Sequence, residues 1–166
     1  MGSERAQVRA AQRGDASGVE ALFRVHWPRA HRAAYLVVHD AAAAEDIAQE
    51  AFLAAIRNLD RFDRRRPFGP WLHRIVVNRA IDWTRARQLR GETELAEAVA
   101  APEREAELGG PLLGALAALP PEYRAVVVLR HLLEYTPGEI AELLGLPRGT
   151  VNSRLRRGLD SLQERV

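Results

Sequence analysis

Thr136–Leu162, TPGEIAELLGLPRGTVNSRLRRGLDSL, reads as two helices joined by a tight turn. Thr136 is placed to cap the first helix, Pro137 suits its first position, and Glu139 follows the cap by three residues, where its carboxylate can reach back. Ile140, Ala141, Leu143 and Leu144 form the buried side, and Gly145-Leu146-Pro147 stops the helix and turns the chain. In the second helix Val151, Leu155, Leu159 and Leu162 recur at i, i+4, i+8 and i+11, an apolar stripe that packs inward. The outward side then carries Asn152, Ser153, Arg156 and Arg157, residue types that donate to base edges and phosphates when a helix N-terminus enters the major groove. Arg148 and Thr150 flank the entry, where free backbone N–H groups favour phosphate. The plainer reading is a surface hairpin that its arginines keep soluble. The small Ala141, the turn Gly145 four residues on and the basic outward face favour a helix-turn-helix that binds DNA.

Upstream, Pro120-Pro121 opens a helix carrying Tyr123, Val126, Val127, Leu129 and Leu132, preceded by a short one with Leu112, Leu113, Leu116 and Leu119. The Pro120-Pro121 helix packs behind the helix-turn-helix. From Gly91 to Gly110, six glutamates (Glu92, Glu94, Glu97, Glu103, Glu105, Glu107) face one arginine, Arg104, among the breakers Pro102 and Gly109-Gly110. Such a stretch forms little core, which predicts a flexible acidic linker holding two helical modules apart.

The first module is read the same way. Glu4–Gln12 forms a short helix ended by Gly14-Asp15, and Ala16–Val38 carries Val19, Leu22, Phe23 and Trp27 on an inward face, with Pro28 placed to kink it. Asp40 caps a helix to about Leu59 that buries Ile47, Ala51, Phe52, Ile56 and Leu59. Asp46, Gln49, Glu50 and Arg57 line one polar side of it, and spacing alone reads them as a solvated face. Between Arg61 and Arg90, nine arginines meet only Asp63 and Asp82. The zone begins in a loop, Asp60–Pro70, where Phe62 and Phe68 alternate with Arg64, Arg65 and Arg66, a mixture suited to single-stranded nucleic acid. It continues into a helix where periodicity assigns Trp71, Leu72, Ile75 and Val76 to the core. Mid-helix Asn78 fits either a structural hydrogen bond or a base contact.

Composition sets bounds. All 24 basic residues among 166 are arginine, the net charge is +2 and cysteine is absent. Disulfides, thiolate metal sites and cysteine nucleophiles are excluded. Neither a secretory leader nor a bilayer-spanning run is present, so a soluble cytoplasmic protein is expected, with no direct membrane insertion.

Taken together, AEDIAQEAFLAAIRNLDRF (44–62), PWLHRIVVNRAIDWTR (70–85) and LPPEYRAVVVLRHLLEYTPGEIAELLGLPRGTVNSRLRRGLDSL (119–162) resemble the conserved blocks of bacterial RNA polymerase sigma factors of the extracytoplasmic function (ECF) group. The resemblance covers nearly the whole chain. It implies an all-α protein with sigma domain 2 over 1–90, the linker over 91–110 and sigma domain 4 over 111–166, without a full third domain. It assigns Asp46, Gln49 and Glu50 to the clamp helices of the largest polymerase subunit and domain 4 to the flap of the second-largest. Phe62, Arg64, Arg65, Arg66, Phe68, Arg74, Asn78, Arg79 and Arg85 would meet the −10 element as a single strand, with one base flipped out. Arg148, Thr150, Asn152, Ser153, Arg154, Arg156 and Arg157 would meet the −35 duplex. The linker would thread toward the active-site cleft, its charge imitating nucleic acid. The run Arg64–Arg66 followed by Pro67 and Gly69 departs from the family's pattern. An anti-sigma factor is implied, no cofactor is, and no fused regulatory domain is expected after Val166.

Two other classes compete. A free-standing regulator would bind operator DNA as a dimer through the same helix-turn-helix, and it leaves the first half unexplained. An enzyme would have to use Glu45, Asp46 and Glu50 with His26, His31 or His39 as metal ligands, but these residues stand in no metal-binding or nucleophile frame.

Overall fold

The computed structural model describes residues 2–91 and 110–166, so the expected acidic linker lies outside the described residues apart from its two end glycines. Among the described residues eight α-helices follow in order: α1 (Gly2–Gln12), α2 (Ala16–Val38), α3 (Ala41–Arg57), α4 (Phe68–Leu89), α5 (Gly110–Ala117), α6 (Pro121–His131), α7 (Pro137–Leu144) and α8 (Arg148–Arg165). A single 3-10 turn, Leu59–Arg61, sits between α3 and α4. No strand occurs among the described residues. The expected all-α class is what the chain adopts.

Local chemistry fixes the helix starts. Asp15 accepts from the Ser17 N–H at 2.9 Å and Asp40 from the Ala43 N–H at 2.9 Å. Each such cap is worth about 1 kcal/mol. His39, left-handed at φ 53°, separates α2 from α3. Pro28 does not end α2, which continues unbroken through it with the ring at the surface.

Helix α2 is the spine of the first half, packed by α1, α3 and α4. Leu22, Val37, Leu72, Val76 and Val77 are fully buried there. Each contributes about 1.5–3 kcal/mol by leaving water. Gly18 brings α1 close: a Cβ there would stand 2.5 Å from the Ala11 nitrogen, so only hydrogen fits. In the second half α6 supports α7 and α8 through Val126, Leu129, Ile140 and Val151, all fully buried.

Three expectations need correction. Leu159 is 37% exposed rather than core. Gly158 takes the inward position, against Tyr123 and Val127, because the helix drifts off the assumed stripe. Phe23 is 40% exposed, stacking on Trp27 with centroids 4.8 Å apart and covering Phe52 edge-on. The modules are also not held apart. Helices α5, α6 and α7 pack on α2 and α4, and the buried residues form one continuous core.

Candidate nucleic-acid interface

The helix-turn-helix is built as its sequence dictates. Thr136 Oγ1 accepts from the Glu139 N–H at 3.3 Å while Glu139 Oε2 accepts from the Thr136 N–H at 2.7 Å, a complete capping box. Hydrogen bonds donated to Oε2 by the Thr136 N–H and by the Thr136 hydroxyl, the latter at 2.8 Å, hold the Glu139 carboxyl below its usual range. Gly145, at φ 65°, turns the chain into α8. Along α8, Val151, Leu155, Gly158 and Leu162 face inward. Arg148, Asn152, Arg156 and Arg157 are exposed, and Thr150, Ser153 and Arg154 are half-buried at the edges of that face. Arg157 leans back to donate weakly to the Tyr123 hydroxyl at 3.4 Å. Arg154 stands close enough to Glu122 for its charge to act on that carboxyl.

A second basic surface lies on the first half. Arg64, Arg65 and Arg66 project from the loop between Phe62 and Phe68, with Arg65 held on Asp63 at 3.0 Å. Along α4, Arg74, Asn78, Arg79 and Arg85 are exposed at helical spacing. The Asn78 side chain makes no hydrogen bond among the described residues, so the structural role left open for it is not realised. Phe62 and Phe68 are corrected: the structure places both in the core, 8% and 0% exposed. Phe62 packs on Trp71 at 4.7 Å and on Phe68 at 5.8 Å. Their burial anchors the two ends of the arginine loop instead of offering rings to bases.

The acidic strip is open. Asp46, Gln49 and Glu50 are all exposed on α3. Gln49 donates to Glu45 at 3.2 Å, and Glu50 pairs with Arg79 at 3.2 Å across to α4. That exposed pair contributes little on its own, typically about 0–1 kcal/mol. The Arg79 assigned to the −10 strand therefore adjoins the strip assigned to polymerase.

Sequence reasoning missed the contacts joining the halves. Arg124 of α6 is 4% exposed and donates to the carbonyls of Leu116 at 2.9 Å, Ala117 at 2.5 Å and Leu119 at 2.9 Å, and to that of Val37 in α2. Burial pulls its pKa down to about 10. His73 of α4 meets the Tyr135 hydroxyl through Nδ1 at 2.7 Å. Arg85 donates to Glu122 of α6 through Nε at 2.6 Å. Burial raises the Glu122 pKa, but hydrogen bonds from its own backbone and from Arg85, with the Arg85 and Arg154 charges, outweigh that and leave it lowered. A cavity of about 700 Å³ lies at this junction, lined by Arg61, Arg66, Trp71 and Arg74 on one side and by Tyr135, Glu139 and Glu142 on the other. The one signal in sequence was Arg124 itself, a charge among the inward positions of an otherwise apolar run.

The histidines do other work than ligation. His26 pairs with Glu4 at 2.9 Å, His31 stacks on Trp27 and His39 ends α2. No group of three or more histidines, aspartates or glutamates among the described residues could hold a metal ion. No helix among them is long and apolar enough to cross a membrane.

Comparison with known proteins agrees with this geometry. Residues 22–90 match Sigma-70 region 2 and residues 110–162 match Sigma-70, region 4. The chain is 31% identical to the ECF RNA polymerase sigma factor SigW of Bacillus subtilis, over 96% of this chain and 95% of SigW. It is 37% identical to the ECF RNA polymerase sigma factor SigE of Mycolicibacterium smegmatis, over 86% of this chain and 59% of SigE. Its fold resembles that of CnrH in complex with the cytosolic domain of CnrY, with a TM-score of 0.74 and 28% identity over 97% of this chain and 95% of the other. The two matched regions fall on the two basic surfaces described above, and the chain belongs to the ECF family of RNA polymerase sigma factors.

Proposed function

We propose that this sigma factor docks on core RNA polymerase through the acidic strip of α3 and aims its two basic surfaces at two elements of one promoter. Asp46, Gln49 and Glu50 meet basic groups on the clamp helices, and the second half meets the flap. Arg148, Thr150, Asn152, Ser153, Arg156 and Arg157 enter the −35 major groove, where phosphate contacts set register and base-edge contacts set sequence. Arg154 joins them from the edge of that face. The Arg64–Arg66 loop and Arg74, Asn78, Arg79 and Arg85 of α4 hold the melted −10 strand. Unstacking a base costs a few kcal/mol, which backbone neutralisation and a base pocket offset. Arg85 becomes available only when its bond to Glu122 breaks. The chain performs no catalysis of its own, works in the cytoplasm and is organised as domain 2 (1–90), linker (91–110) and domain 4 (111–166).

One observation carries this reading: an acidic strip and two arginine surfaces are all solvent-facing, on separate elements of one chain. A single-surface DNA regulator has no use for the first half. An anti-sigma partner is part of the proposal, supported by the CnrH structure being that of a complex with a second protein. Footprinting of reconstituted holoenzyme on a cognate promoter tests the reading, with protection of two separated patches expected. Protection by this chain without polymerase, at paired half-sites about one helical turn apart, would instead support the free-standing regulator.

A further inference from the structure

We propose that α1, which lies outside the stretch matched to Sigma-70 region 2, is the positioning element for the arginine loop, with Gln12 and Glu4 holding its two feet. This rests on the assignment of that loop to the −10 strand.

The loop leaves the core at Phe62 and returns at Phe68, so its aim depends on how firmly those two points are held. Gln12 fixes the first. Its Nε2 donates to the carbonyl of Leu59 at 2.9 Å and to that of Phe62 at 3.2 Å, both outside regular α-helix. Glu4 fixes the second. Its Oε2 accepts from the Phe68 N–H at 3.3 Å, the first residue of α4. That donor has no partner in its own helix, and Pro67 at the cap position offers no side-chain acceptor. The other oxygen, Oε1, is held by His26 Nε2 at 2.9 Å, which keeps the carboxylate aimed. Two residues eight positions apart on one helix stand about 12 Å apart along its axis, so α1 spans the loop base as a rigid bar. Gly18 seats the bar, since any larger residue would push α1 off α2. Gln12 also lines a cavity of about 460 Å³ beside Asp60, Arg64 and Arg65, so the clamp borders the space that a strand on the loop would enter.

Nothing in this arrangement touches the −35 surface or the strip on α3. Glu4 and Gln12 therefore act on −10 reading alone, through loop geometry, as residues supporting a binding shell do. Three variants test this in full-length chain with core polymerase on a promoter library: Gln12→Ala, Glu4→Ala and Glu4→Gln. Alanine preserves helix propensity, and thermal unfolding checks that each variant folds. Gln12→Ala and Glu4→Ala should each lower −10 base discrimination by about fivefold, the scale of one base contact, with −35 preference and core affinity unchanged. Glu4→Gln, which keeps an acceptor for Phe68, should restore most of it. Unchanged −10 discrimination in both alanine variants, or equal loss at −10 and −35, would overturn the proposal. Alanine at Arg64, Arg65 and Arg66 separates the layers. If those changes alter −10 reading while the α1 variants do not, only the positioning role falls. If they leave −10 reading intact, the loop assignment falls and takes the positioning role with it.

Discussion

Arg124 and Val37 stand 87 positions apart in sequence, yet the guanidinium of one donates to the backbone carbonyl of the other inside the core, joining the two halves of the chain. No carboxylate among the described residues neutralises this arginine. Four carbonyls do the work, and Val37's is the one contributed by the first half. Replacing Arg124 with Met keeps the bulk and removes every donor. Stability should fall by about 3 kcal/mol because carbonyls are left unpaired in the core, read as a lower urea midpoint. A loss below about 1 kcal/mol, within the range of ordinary surface changes, would contradict the linking role.

Acid should loosen the same junction. Burial pushes His73 down from the ordinary 6.5 to about 4, and the nearby His26 and Arg29 charges act in the same direction. His39 likewise falls to about 4, by burial and then by the Arg124 charge. The Tyr135 phenol facing His73 is raised by burial and keeps its proton. With folded values below the unfolded one, the unfolded chain takes up protons first, so stability is intact above pH 6.5 and is lost as pH falls toward 4. The loss should be at most about 3 kcal/mol per histidine. His73→Gln should flatten part of the slope in urea titrations across this window; an unchanged slope would contradict it.

How much of this could be read from sequence follows from the range of the interactions. The helix-turn-helix was legible because its signals are local: a capping box spans four residues, and Gly145 marks its own left-handed turn. The aromatics of the loop were misread. Phe62 and Phe68 sit beside arginines in the chain, but their partners Trp71 and Phe52 come from neighbouring helices, and only the fold reveals that the rings turn inward. The contacts of His73, Gln12 and Glu4, and that of Arg124 with Val37, were invisible for the same reason, since each of those partners lies tens of residues away. Gly158 escaped notice because an apolar count favours the neighbouring Leu159.

The strip on α3 yields a charge-reversal prediction. Asp46→Arg or Glu50→Arg should weaken binding to core polymerase by about 1–3 kcal/mol, the range for a charge-assisted contact turned repulsive. Both residues are exposed and the Glu50–Arg79 pair is a surface one, so stability should shift by no more than about 1 kcal/mol in thermal unfolding, and duplex −35 binding should stay as it was. Equal loss of all three properties would mean misfolding rather than a lost interface.

On α8, Arg156→Ala and Arg157→Ala separate two kinds of contact. Arg156 is exposed and gives up no side-chain bond among the described residues, while Arg157 must leave the Tyr123 hydroxyl. Each should cost about 1–3 kcal/mol at its own −35 position if it reads a base edge bidentately. Uniform weakening across all −35 sequences would identify a phosphate contact instead.

Asn78 is exposed on α4 and its side chain has no bond to lose among the described residues, so Asn78→Ala should leave stability within about 0.5 kcal/mol of the parent. It should reduce strand opening more than initial duplex binding. Permanganate reactivity of the melted region is the readout, and full reactivity in the variant would remove Asn78 from the −10 contacts.

Promoter-dependent run-off transcription with purified core polymerase tests the central claim most directly. Adding this chain should produce a transcript of defined start from its promoter, abolished when both the −10 and −35 elements are scrambled. The same transcript from core polymerase alone, or none with the chain present, would contradict it.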